Sequence, residues 1–401
     1  MKILVVCQYY YPEPFRITEI CESLVSKGHE VVVVTGLPNY PEGKVLKDYR
    51  FWKKRNESLN GVKILRCFEI GRGKNKFALL LNYLSFVISA SFRVLFIDNK
   101  NDVILVNQLS PVLMAIPAII YKIKHKKRIL LYCLDLWPDS LAAGGIKLNS
   151  ILYKMFYYIS KWIYYSADLI LISSQMFEKY FTETLEINSS IIHHLPQFAE
   201  DLYTSNTKMK SHADKYSKIF NFVFAGNIGV AQSVETIIHA ANLVKDMNNI
   251  FFHIVGDGSK LEECKKIVDE LDIQNIAFYG RKSVEEMPKY YAMADAMLVT
   301  LQKDRYLSFT LPGKIQSYMA AGKPILGALN GEASRVIMDA KCGYTCDAED
   351  FKTLAKIIKD FCIDENIRQM GTNAKEYYNE NYSKDKFMFS LINNLNRLLE
   401  M

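Results

Sequence analysis

Half of the chain's 401 residues are hydrophobic and only 11 are proline, which excludes a disordered or fibrous chain and leaves room for two domains of about 200 residues each. The net charge of +7 is uneven: residues 1–200 carry 25 Lys and Arg against 17 Asp and Glu (+8), and residues 201–401 carry 25 against 26 (−1). A basic first half predicts an anionic partner, and without a nucleic-acid-binding motif we expect a membrane surface rather than nucleic acid.

The first residues and the cysteines indicate a cytoplasmic protein. Residues 1–7 form an apolar run with one lysine and no cleavage site after it, so we expect no secretory signal. The eight cysteines are scattered, as is typical of reduced thiols. Cys342 and Cys346 have no second ligand pair nearby, and the chain has no Asp-x-Asp motif, so we predict neither a metal site nor a cofactor.

Apolar runs alternate with helical patterns through the first half, which predicts a parallel sheet. The predicted strands are 3–7, 31–35, 62–66, 103–107, 129–134 and 169–173. The longest apolar stretch, 77–97, is interrupted by Asn82 and Arg93, and a second helix, 153–166, is rich in Tyr, Phe and Trp. Both could lie on a membrane surface, although the first could equally be a helix packed in its domain.

The alternation restarts after a polar stretch, which predicts a second domain of the same kind. Its strands are 220–225, 250–255, 276–279, 296–301 and 324–329. We therefore predict an N-terminal domain 1–199, a linker 200–218, a C-terminal domain 219–382 and a last helix 383–401. Each domain is a doubly wound α/β sheet, with ligands expected at the carboxyl ends of the strands.

Residues 311–327 contain the most specific functional signal. A turn at Pro312 and Gly313 opens a helix that Gly322 closes, so Lys314 falls in its first turn. Free N–H groups and the helix dipole make such a turn an anion site, and a lysine there suits a diphosphate. From this turn alone, a surface lysine is an equally good interpretation.

Sequence motifs resolve that ambiguity by resemblance. Pro312, Lys314 and the run 318–324 resemble the donor-site signature of retaining nucleotide-sugar glycosyltransferases of the GT-B fold, family four. Segments 8–13, 36–43 and 135–140 are similar to a bacterial branch that builds O-antigen and capsule, and within it to N-acetyl-L-fucosamine transferases.

The resemblance implies two Rossmann-like domains facing a cleft, an N-terminal acceptor domain and a C-terminal UDP-sugar donor domain. It also implies a polyprenyl-diphosphate-linked saccharide as acceptor, metal-independent transfer, and a last helix that packs back on the first domain. Lys314 and Asp135 are the predicted catalytic residues. The predicted donor-binding residues are Gly226, Asn227, Gly229, Gly256, Arg281, Arg305, Pro312, Gly313 and Ser317.

The chain departs from the family pattern at several positions. The Glu-x7-Glu motif is missing, since Phe309 and Ser317 occupy its two places, and Asn227 and Gln232 stand where an arginine and a lysine are usual. Ser317 could still hydrogen-bond a ribose, and Phe309 could offer an apolar face to a 6-deoxy sugar or simply belong to the core.

The first domain supplies the predicted acceptor residues. Asp135 stands where relatives often place a histidine, and Asp139 is also a candidate helix cap. The acceptor and interdomain set is Tyr9, Pro12, Glu13, Arg16, Asn39, Tyr40 and Asp139. Two alternatives to a glycosyltransferase stay open at this point: a UDP-sugar epimerase of the same fold, and a non-catalytic binding module.

Overall fold

The computed structural model describes residues 1–73, 75–143, 145–204 and 219–401, so the predicted linker lies outside the described residues from 205 onwards. The chain divides into two compact units. Unit 1 comprises Met1–Ser173, Phe177–Leu195 and Met388–Met401, and unit 2 comprises Ser174–Met176 and Pro196–Phe387. The sequence predicted divisions at residues 199 and 383, whereas the chain's contacts divide it after Leu195 and after Phe387.

Unit 1 is built on an eight-stranded sheet with the order β3-β4-β2-β1-β5-β6-β7-β8, in which β3 alone is antiparallel to its neighbour. The strands are β1 Lys2–Val6, β2 Glu30–Thr35, β3 Asn56–Leu59, β4 Val62–Arg66, β5 Val103–Gln108, β6 Arg128–Cys133, β7 Leu169–Ile172 and β8 Ile192–His194. All six predicted strands of the first half are confirmed. The sequence missed β3 and β8, because both are short and partly polar.

Helices connect these strands. They are α1 Ile17–Ser26, α2 Lys76–Val94, α3 Ile116–His125, α4 Asp139–Ala143, α5 Ile151–Tyr165 and α6 Phe177–Lys179, with single turns at Lys47–Tyr49, Val112–Ala115, Tyr180–Thr184 and Ser189–Ile191. Side chains set two of the helix starts. Asn75 accepts a hydrogen bond from the Ala78 N–H at 2.7 Å, and Ser150 accepts one from the Tyr153 N–H at 3.2 Å.

The strand order determines which helices share a face. The crossovers from β4 to β5, β5 to β6 and β6 to β7 all run the same way across the sheet, whereas β1 to β2 runs the opposite way. Because such crossovers are right-handed, α2, α3 and α5 cover one face of the sheet and α1 covers the other. Consistently, α2 packs against α3, and the turn Val112–Ala115 contacts both α2 and α5.

One helix among the described residues is long and apolar enough to cross a membrane, judged by length and composition. It is the 18-residue window Phe77–Val94 of α2, and 28% of this window is buried within the structure.

Unit 2 is built on a six-stranded parallel sheet with the order β11-β10-β9-β12-β13-β14. Its strands are β9 Phe220–Ala225, β10 Ile250–Val255, β11 Ile276–Phe278, β12 Ala296–Thr300, β13 Ile325–Ala328 and β14 Gly343–Cys346. The first five confirm the prediction, and β14 was missed. Alternate residues of β9 enter two core layers, Phe222 and Phe224 on one face and Val223 and Ala225 on the other, as expected of a sheet covered by helices on both sides.

The helices of unit 2 begin with a short segment in the region predicted as linker. They are α7 Asp201–Thr204, α8 Val234–Asn242, α9 Leu261–Glu270, α10 Met287–Met293, α11 Arg305–Phe309, α12 Gly313–Ala320, α13 Glu332–Asp339, α14 Phe351–Phe361 and α15 Ile367–Asn381, with single turns at Val230–Gln232 and Val284–Glu286. The last helix, α16 Lys384–Glu400, starts in unit 2, and its residues from Met388 belong to unit 1.

Candidate functional site

In unit 2, the glycine loops that follow β9 and β10 pack directly against each other. Gly256 has a φ of +150°, and a Cβ atom there would lie 1.8 Å from the carbonyl oxygen of Gly226. Gly226 has a φ of +146°, and a Cβ there would lie 2.9 Å from Nζ of Lys314. Both positions therefore require glycine, and the lysine lies directly against the Gly226 backbone. The strand order reverses between β9 and β12, so these loops lie where α/β sheets bind ligands.

Lys314 has an unsatisfied charge at this point. Pro312 is the N-cap residue of α12, so Lys314 lies in the first helical turn, as predicted. The residue as a whole is only partly buried, but its Nζ atom is covered and has no hydrogen-bond partner among the described residues. Nζ lies 4.0 Å from the ring centroid of Phe224. Desolvation lowers the pKa of Lys314 to about 7. A covered ammonium group beside free helix N–H groups is a site prepared for an anion.

The two neutral residues that replace expected cations are engaged with each other. Asn227 donates through Nδ2 to Oε1 of Gln232 at 2.9 Å. A Cβ at Gly229 would lie 2.5 Å from that Nδ2 atom, so Gly229 leaves room for this pair. Both Asn227 and Gly229 lie in the loop after β9, as predicted, but no positive charge accompanies them there. Lys314 places a cation against the Gly226 end of this loop.

The predicted arginines of unit 2 are both exposed. Arg281 follows Gly280, whose carbonyl oxygen accepts a hydrogen bond from the Gly256 N–H at 3.0 Å. Arg305 begins α11, with its guanidinium 5.8 Å from the ring centroid of Phe309. The Phe309 side chain is itself buried, as a core residue is.

Ser317 has a partner that sequence reasoning missed. Its hydroxyl lies 3.2 Å from Oε2 of Glu200 and 3.3 Å from the carbonyl oxygen of Gly313, one turn earlier. A carboxylate thus lies beside the position where the family's second glutamate is absent. No local pattern could have indicated it, because Glu200 precedes Ser317 by 117 positions and comes from the segment before α7.

In unit 1, Glu13 organises the loop that follows β2. Its carboxylate accepts hydrogen bonds from the backbone N–H groups of Asn39 at 2.8 Å, Tyr40 at 2.7 Å and Tyr10 at 3.3 Å. Burial outweighs these bonds and raises the pKa of Glu13 to about 7. The structure thus brings together Glu13, Asn39 and Tyr40, with Glu13 holding the backbone of the other two.

Aromatic rings cover this loop. Tyr9 stacks on Phe15 with ring centroids 5.0 Å apart and lies 6.2 Å from the ring of Tyr40. The guanidinium of Arg72, which was not predicted as a site residue, lies 5.7 Å from the Tyr40 ring centroid. The hydroxyl of Tyr9 is buried without a hydrogen-bond partner among the described residues. This cluster therefore offers aromatic faces, a cation and an unused hydroxyl.

A buried polar network beneath the cluster was also missed. Glu69 follows β4 and accepts hydrogen bonds from Nε2 of Gln8 at 2.7 Å, Nδ2 of Asn82 at 2.6 Å and the Leu37 N–H at 3.1 Å. Desolvation is the main reason why the pKa of Glu69 rises to about 8. A Cβ at Gly36 would lie 1.7 Å from Glu69 Oε2, so the loop backbone lies against this carboxyl group. In the sequence, the position of Glu69 just past the end of β4 could have indicated that it is a site residue.

The two predicted aspartates after β6 have different surroundings. Asp135 is half-buried and accepts a hydrogen bond from Ser110, which also accepts one from Nε1 of Trp137 at 2.8 Å. Desolvation raises the pKa of Asp135 to about 7. Asp139 begins α4, and its carboxylate accepts hydrogen bonds from the hydroxyls of Tyr153 and, at 3.2 Å, of Tyr180. Its carboxylate is thus engaged by tyrosines.

The remaining predictions for unit 1 concern one exposed and one half-buried position. Pro12 is exposed, and Arg16 lies at the N-terminus of α1 with an ion pair to Glu19 at 3.6 Å. Within the described ranges, no group of three or more His, Cys, Asp or Glu is placed to hold a metal ion.

Comparison with known proteins identifies the class of enzyme. Residues 205–377 match the family described as Glycosyl transferases group 1. The probable glycosyltransferase WbjE of Pseudomonas aeruginosa is 28% identical over 335 residues, which cover 79% of this chain and 80% of that protein. The putative colanic acid biosynthesis glycosyl transferase WcaI of Escherichia coli K12 is 24% identical over an alignment of 419 positions. This alignment covers 98% of this chain and 100% of that protein.

Solved structures show the same fold. Alr3699/HepE of Anabaena, in complex with UDP and glucose, superposes with a TM-score of 0.70 at 14% identity, covering 99% of each chain. The two parallel-sheet units therefore have the GT-B fold, and the chain is a glycosyltransferase whose C-terminal part matches group 1.

Proposed function

We propose that this glycosyltransferase moves a sugar, with retention of configuration, from a UDP-sugar to a polyprenyl-diphosphate-linked saccharide in lipopolysaccharide or capsule synthesis. The observation that carries the proposal is the covered, unpartnered Nζ of Lys314 in the first turn of α12, against the backbone of Gly226. A diphosphate supplies the negative charge that this position lacks. The UDP complex of HepE and the colanic acid role in the name of WcaI support the same assignment.

The proposed chemistry puts the leaving group in unit 2. The bond between C1 of the sugar and the β-phosphate oxygen breaks, and the acceptor hydroxyl forms its new bond on the same face of C1. Its proton passes to the departing β-phosphate oxygen, so UDP leaves and no covalent enzyme intermediate forms. Lys314 and the N–H groups of α12 stabilise the charge that develops on the diphosphate, a contribution of about 2–4 kcal/mol for one such contact. We propose that the reaction proceeds without a divalent metal.

Unit 1 supplies acceptor recognition in this proposal. The aromatic cluster of Tyr9, Phe15 and Tyr40 presents ring faces of the kind on which sugars pack, and Arg72 provides a cation for the lipid diphosphate. Asp135 is the proposed catalytic carboxyl group of this unit. It is half-buried, burial raises its pKa to about 7, and its carboxylate form can stabilise the positive charge that develops at C1.

For the donor sugar we propose UDP-N-acetyl-L-fucosamine or a close 6-deoxy amino sugar. Phe309 replaces a carboxylate near the expected sugar position, and an apolar lining disfavours a 6-hydroxyl because an unpaired buried hydroxyl costs about 1–3 kcal/mol. A competition between UDP-N-acetyl-L-fucosamine and UDP-N-acetylglucosamine on one acceptor tests this. We expect a preference of roughly tenfold to a hundredfold for the 6-deoxy sugar. Equal use of both would refute the donor assignment and leave the transferase proposal intact.

We further propose that the protein works as a peripheral protein on the inner face of the cell membrane, where a polyprenyl-linked acceptor is held. The excess of Lys and Arg in residues 1–200 supports an anionic lipid surface as its partner.

The decisive experiment is mass spectrometry of products from a panel of UDP-sugars and polyprenyl-diphosphate saccharides, with and without EDTA. We expect the acceptor to gain one sugar, and NMR to show that the anomeric configuration of the donor is preserved. EDTA should cause no loss of activity. Conversion of a UDP-sugar without any acceptor would identify an epimerase instead. Loss of activity with EDTA that magnesium restores would contradict the metal-independent mechanism.

A further inference from the structure

Two apolar stripes on one face of unit 1 remain unused by the transferase chemistry. We infer that this face, formed by α2, α3 and α5, binds anionic phospholipid bilayers, with α2 lying in the head-group plane rather than across the membrane. The inference deepens the peripheral location proposed above and rests on that part of the proposed function.

The first stripe runs along α2. One side of this helix is buried in unit 1 through Asn82, Phe86, Ala90 and Val94, which recur every fourth residue. The opposite side should be polar in a water-soluble helix, yet it consists of large apolar side chains. They are Phe77, Leu80, Leu84, Ile88, Phe92 and Leu95. At 1.5 Å per residue this stripe is about 27 Å long, far beyond a single scattered surface hydrophobe.

The second stripe runs along α5. Ile151, Met155, Tyr158, Trp162 and Tyr165 are spaced by three or four residues, so they share one side of the helix. All five are exposed, Ile151 by 88% and Tyr158 by 70%. Tyr and Trp favour the head-group zone, because their rings are apolar and their polar groups stay hydrated.

Both stripes lie on the same face of the sheet, as the right-handed crossovers require. The helix α3 lies beside α2 on this face and adds the 72% exposed Ile123 and the exposed Lys124, whose Nζ donates to the carbonyl oxygen of Leu95. The C-terminal ends of α2 and α3 therefore bring an apolar tip, Leu95 and Phe96, next to a lysine.

The charged residues of this face indicate which kind of surface it binds. The helices α2, α3 and α5 contain no Asp or Glu, and their charged residues are all basic. They are Lys76, Arg93, Lys122, Lys124, Lys154 and Lys161. Lys122 and Lys161 have carboxylate partners, whereas Lys124 and Lys154 are exposed. Beside these helices, Asp168 and Glu186 are paired with Lys122 and Lys161. The exposed Lys124 and Lys154 fit anionic head groups, to which they are attracted in a way that salt weakens.

The buried contacts of α2 indicate that this helix lies on the membrane surface and does not cross the membrane. Asn82 donates to Oε1 of Glu69 and to the carbonyl oxygen of Ile70 at 2.7 Å, and Phe86 is fully buried. A spanning helix would have to leave these contacts and strand a buried carboxyl group. A helix that keeps them can insert only its exposed stripe, the arrangement of an interfacial amphipathic helix.

The test is vesicle flotation of the full chain with phosphatidylcholine alone and with 30 mol% phosphatidylglycerol, at low and high salt. We expect binding to the anionic vesicles, loss of at least tenfold in affinity at high salt, and blue-shifted tryptophan fluorescence on binding. The double variant Ile88→Asp/Phe92→Asp should lose at least tenfold in vesicle affinity. A matched control, Ile363→Asp/Met338→Asp, replaces exposed apolar residues of unit 2 and should bind as the unchanged chain does.

Outcomes that overturn the inference differ from those that overturn the proposed function. Both double variants should retain UDP affinity and transfer to a short-chain, water-soluble acceptor, which separates vesicle binding from catalysis. If the unchanged chain does not bind anionic vesicles, or if Ile88→Asp/Phe92→Asp binds them as tightly as the unchanged chain does, the inference is wrong. A stable dimer without lipid that this variant abolishes would assign the face to a protein partner instead. Resistance to carbonate washing would indicate insertion across the membrane.

Discussion

The candidate sites of the two units have opposite electrostatic character. In unit 2 the central group is a cation, Lys314, whose pKa desolvation lowers to about 7. In unit 1 the central groups are carboxyl groups, Glu13, Glu69 and Asp135, whose pKa values burial raises to between about 7 and about 8. Both shifts disfavour charge, so each site carries groups that change protonation near neutral pH.

The two sites differ further in how their charges are satisfied. Glu13 and Glu69 each accept three hydrogen bonds from their own unit, and they hold a loop in place. The Nζ atom of Lys314 has no hydrogen-bond partner among the described residues. The site in unit 1 is therefore held by hydrogen bonds from its own unit, whereas the site in unit 2 leaves an ammonium group for which we propose an anionic partner.

The largest effect should come from removing the unsatisfied cation. Lys314→Ala should lower turnover by roughly 10²–10³-fold, since one charge-stabilising contact to the leaving group is lost. Because Nζ has no hydrogen-bond partner that the substitution would leave unsatisfied, the midpoint of thermal unfolding should not fall. Steady-state kinetics and calorimetry measure both, with the exposed Lys356→Ala of α14 as control. Near-normal turnover would remove Lys314 from the mechanism.

A smaller loss should follow in unit 1 from Asp135→Asn. We expect turnover to fall by about 10²-fold, as for the loss of one charge-stabilising group, while UDP affinity stays within about twofold. Since burial raises the pKa of Asp135 to about 7, the turnover that depends on its carboxylate should rise as pH passes through 7, and the variant should lose this rise.

Asp139→Asn is the matched control for that variant. Its carboxylate is engaged by Tyr153 and Tyr180, so the substitution should leave the pH profile of turnover unchanged. Equal effects of both substitutions on the pH profile would show that Asp135 has no special role.

A third substitution tests whether the glycine loop leaves space for the ligand. Gly226→Ala places a methyl group 2.9 Å from Lys314 Nζ and should weaken UDP binding about tenfold, equivalent to about 1.4 kcal/mol. Gly28→Ala is a suitable control, because Gly28 also has a positive φ of +84° but no atom lies within 4 Å of the added carbon. Isothermal titration with UDP compares them, and equal affinities would contradict the placement of the diphosphate.

The smallest effect on activity should come from the organised site of unit 1, where the expected change is in stability. Burial raises the pKa of Glu69 from 4.5 to about 8, so the folded state keeps a proton that the unfolded state has released. The free energy of unfolding should therefore fall as pH rises from about 5 to about 8. Glu69→Gln should cost about 1–3 kcal/mol at low pH, because its amide nitrogen faces hydrogen-bond donors, and should remove this slope.

Urea unfolding at pH 5.5 and 8.5 measures that difference. All three tryptophans, Trp52, Trp137 and Trp162, belong to unit 1, so their fluorescence reports on this unit. The exposed Glu30→Gln on β2 serves as control and should leave the slope intact. An unchanged pH dependence in Glu69→Gln would show that this carboxyl group is not its source.

The sequence predicted what depends on local pattern. Buried parallel strands are nearly continuous apolar runs, so eleven of them were found, and the Pro-Gly turn located Lys314 at a helix start. The three missed strands have three or four residues each and contain polar residues, so none of them forms a long apolar run.

Contacts between distant segments could not be predicted. Glu200 meets Ser317, and Glu69 meets Gln8 and Asn82, through the packing of separate elements whose register no single-segment pattern contains. For the same reason the sequence indicated only a helix cap or an acceptor residue at Asp139. It could not foresee that two tyrosines from later in the chain occupy its carboxylate.

UDP titration as a function of pH tests the central claim most directly. If a diphosphate completes the site around Lys314, UDP should bind the protonated lysine, so affinity should fall up to tenfold per pH unit above about 7. Binding near neutral pH should also take up protons, which titration in buffers of different ionisation enthalpy measures. Lys314→Met should abolish both the pH dependence and the uptake. UDP affinity that is independent of pH, or the same in Lys314→Met, would contradict the account.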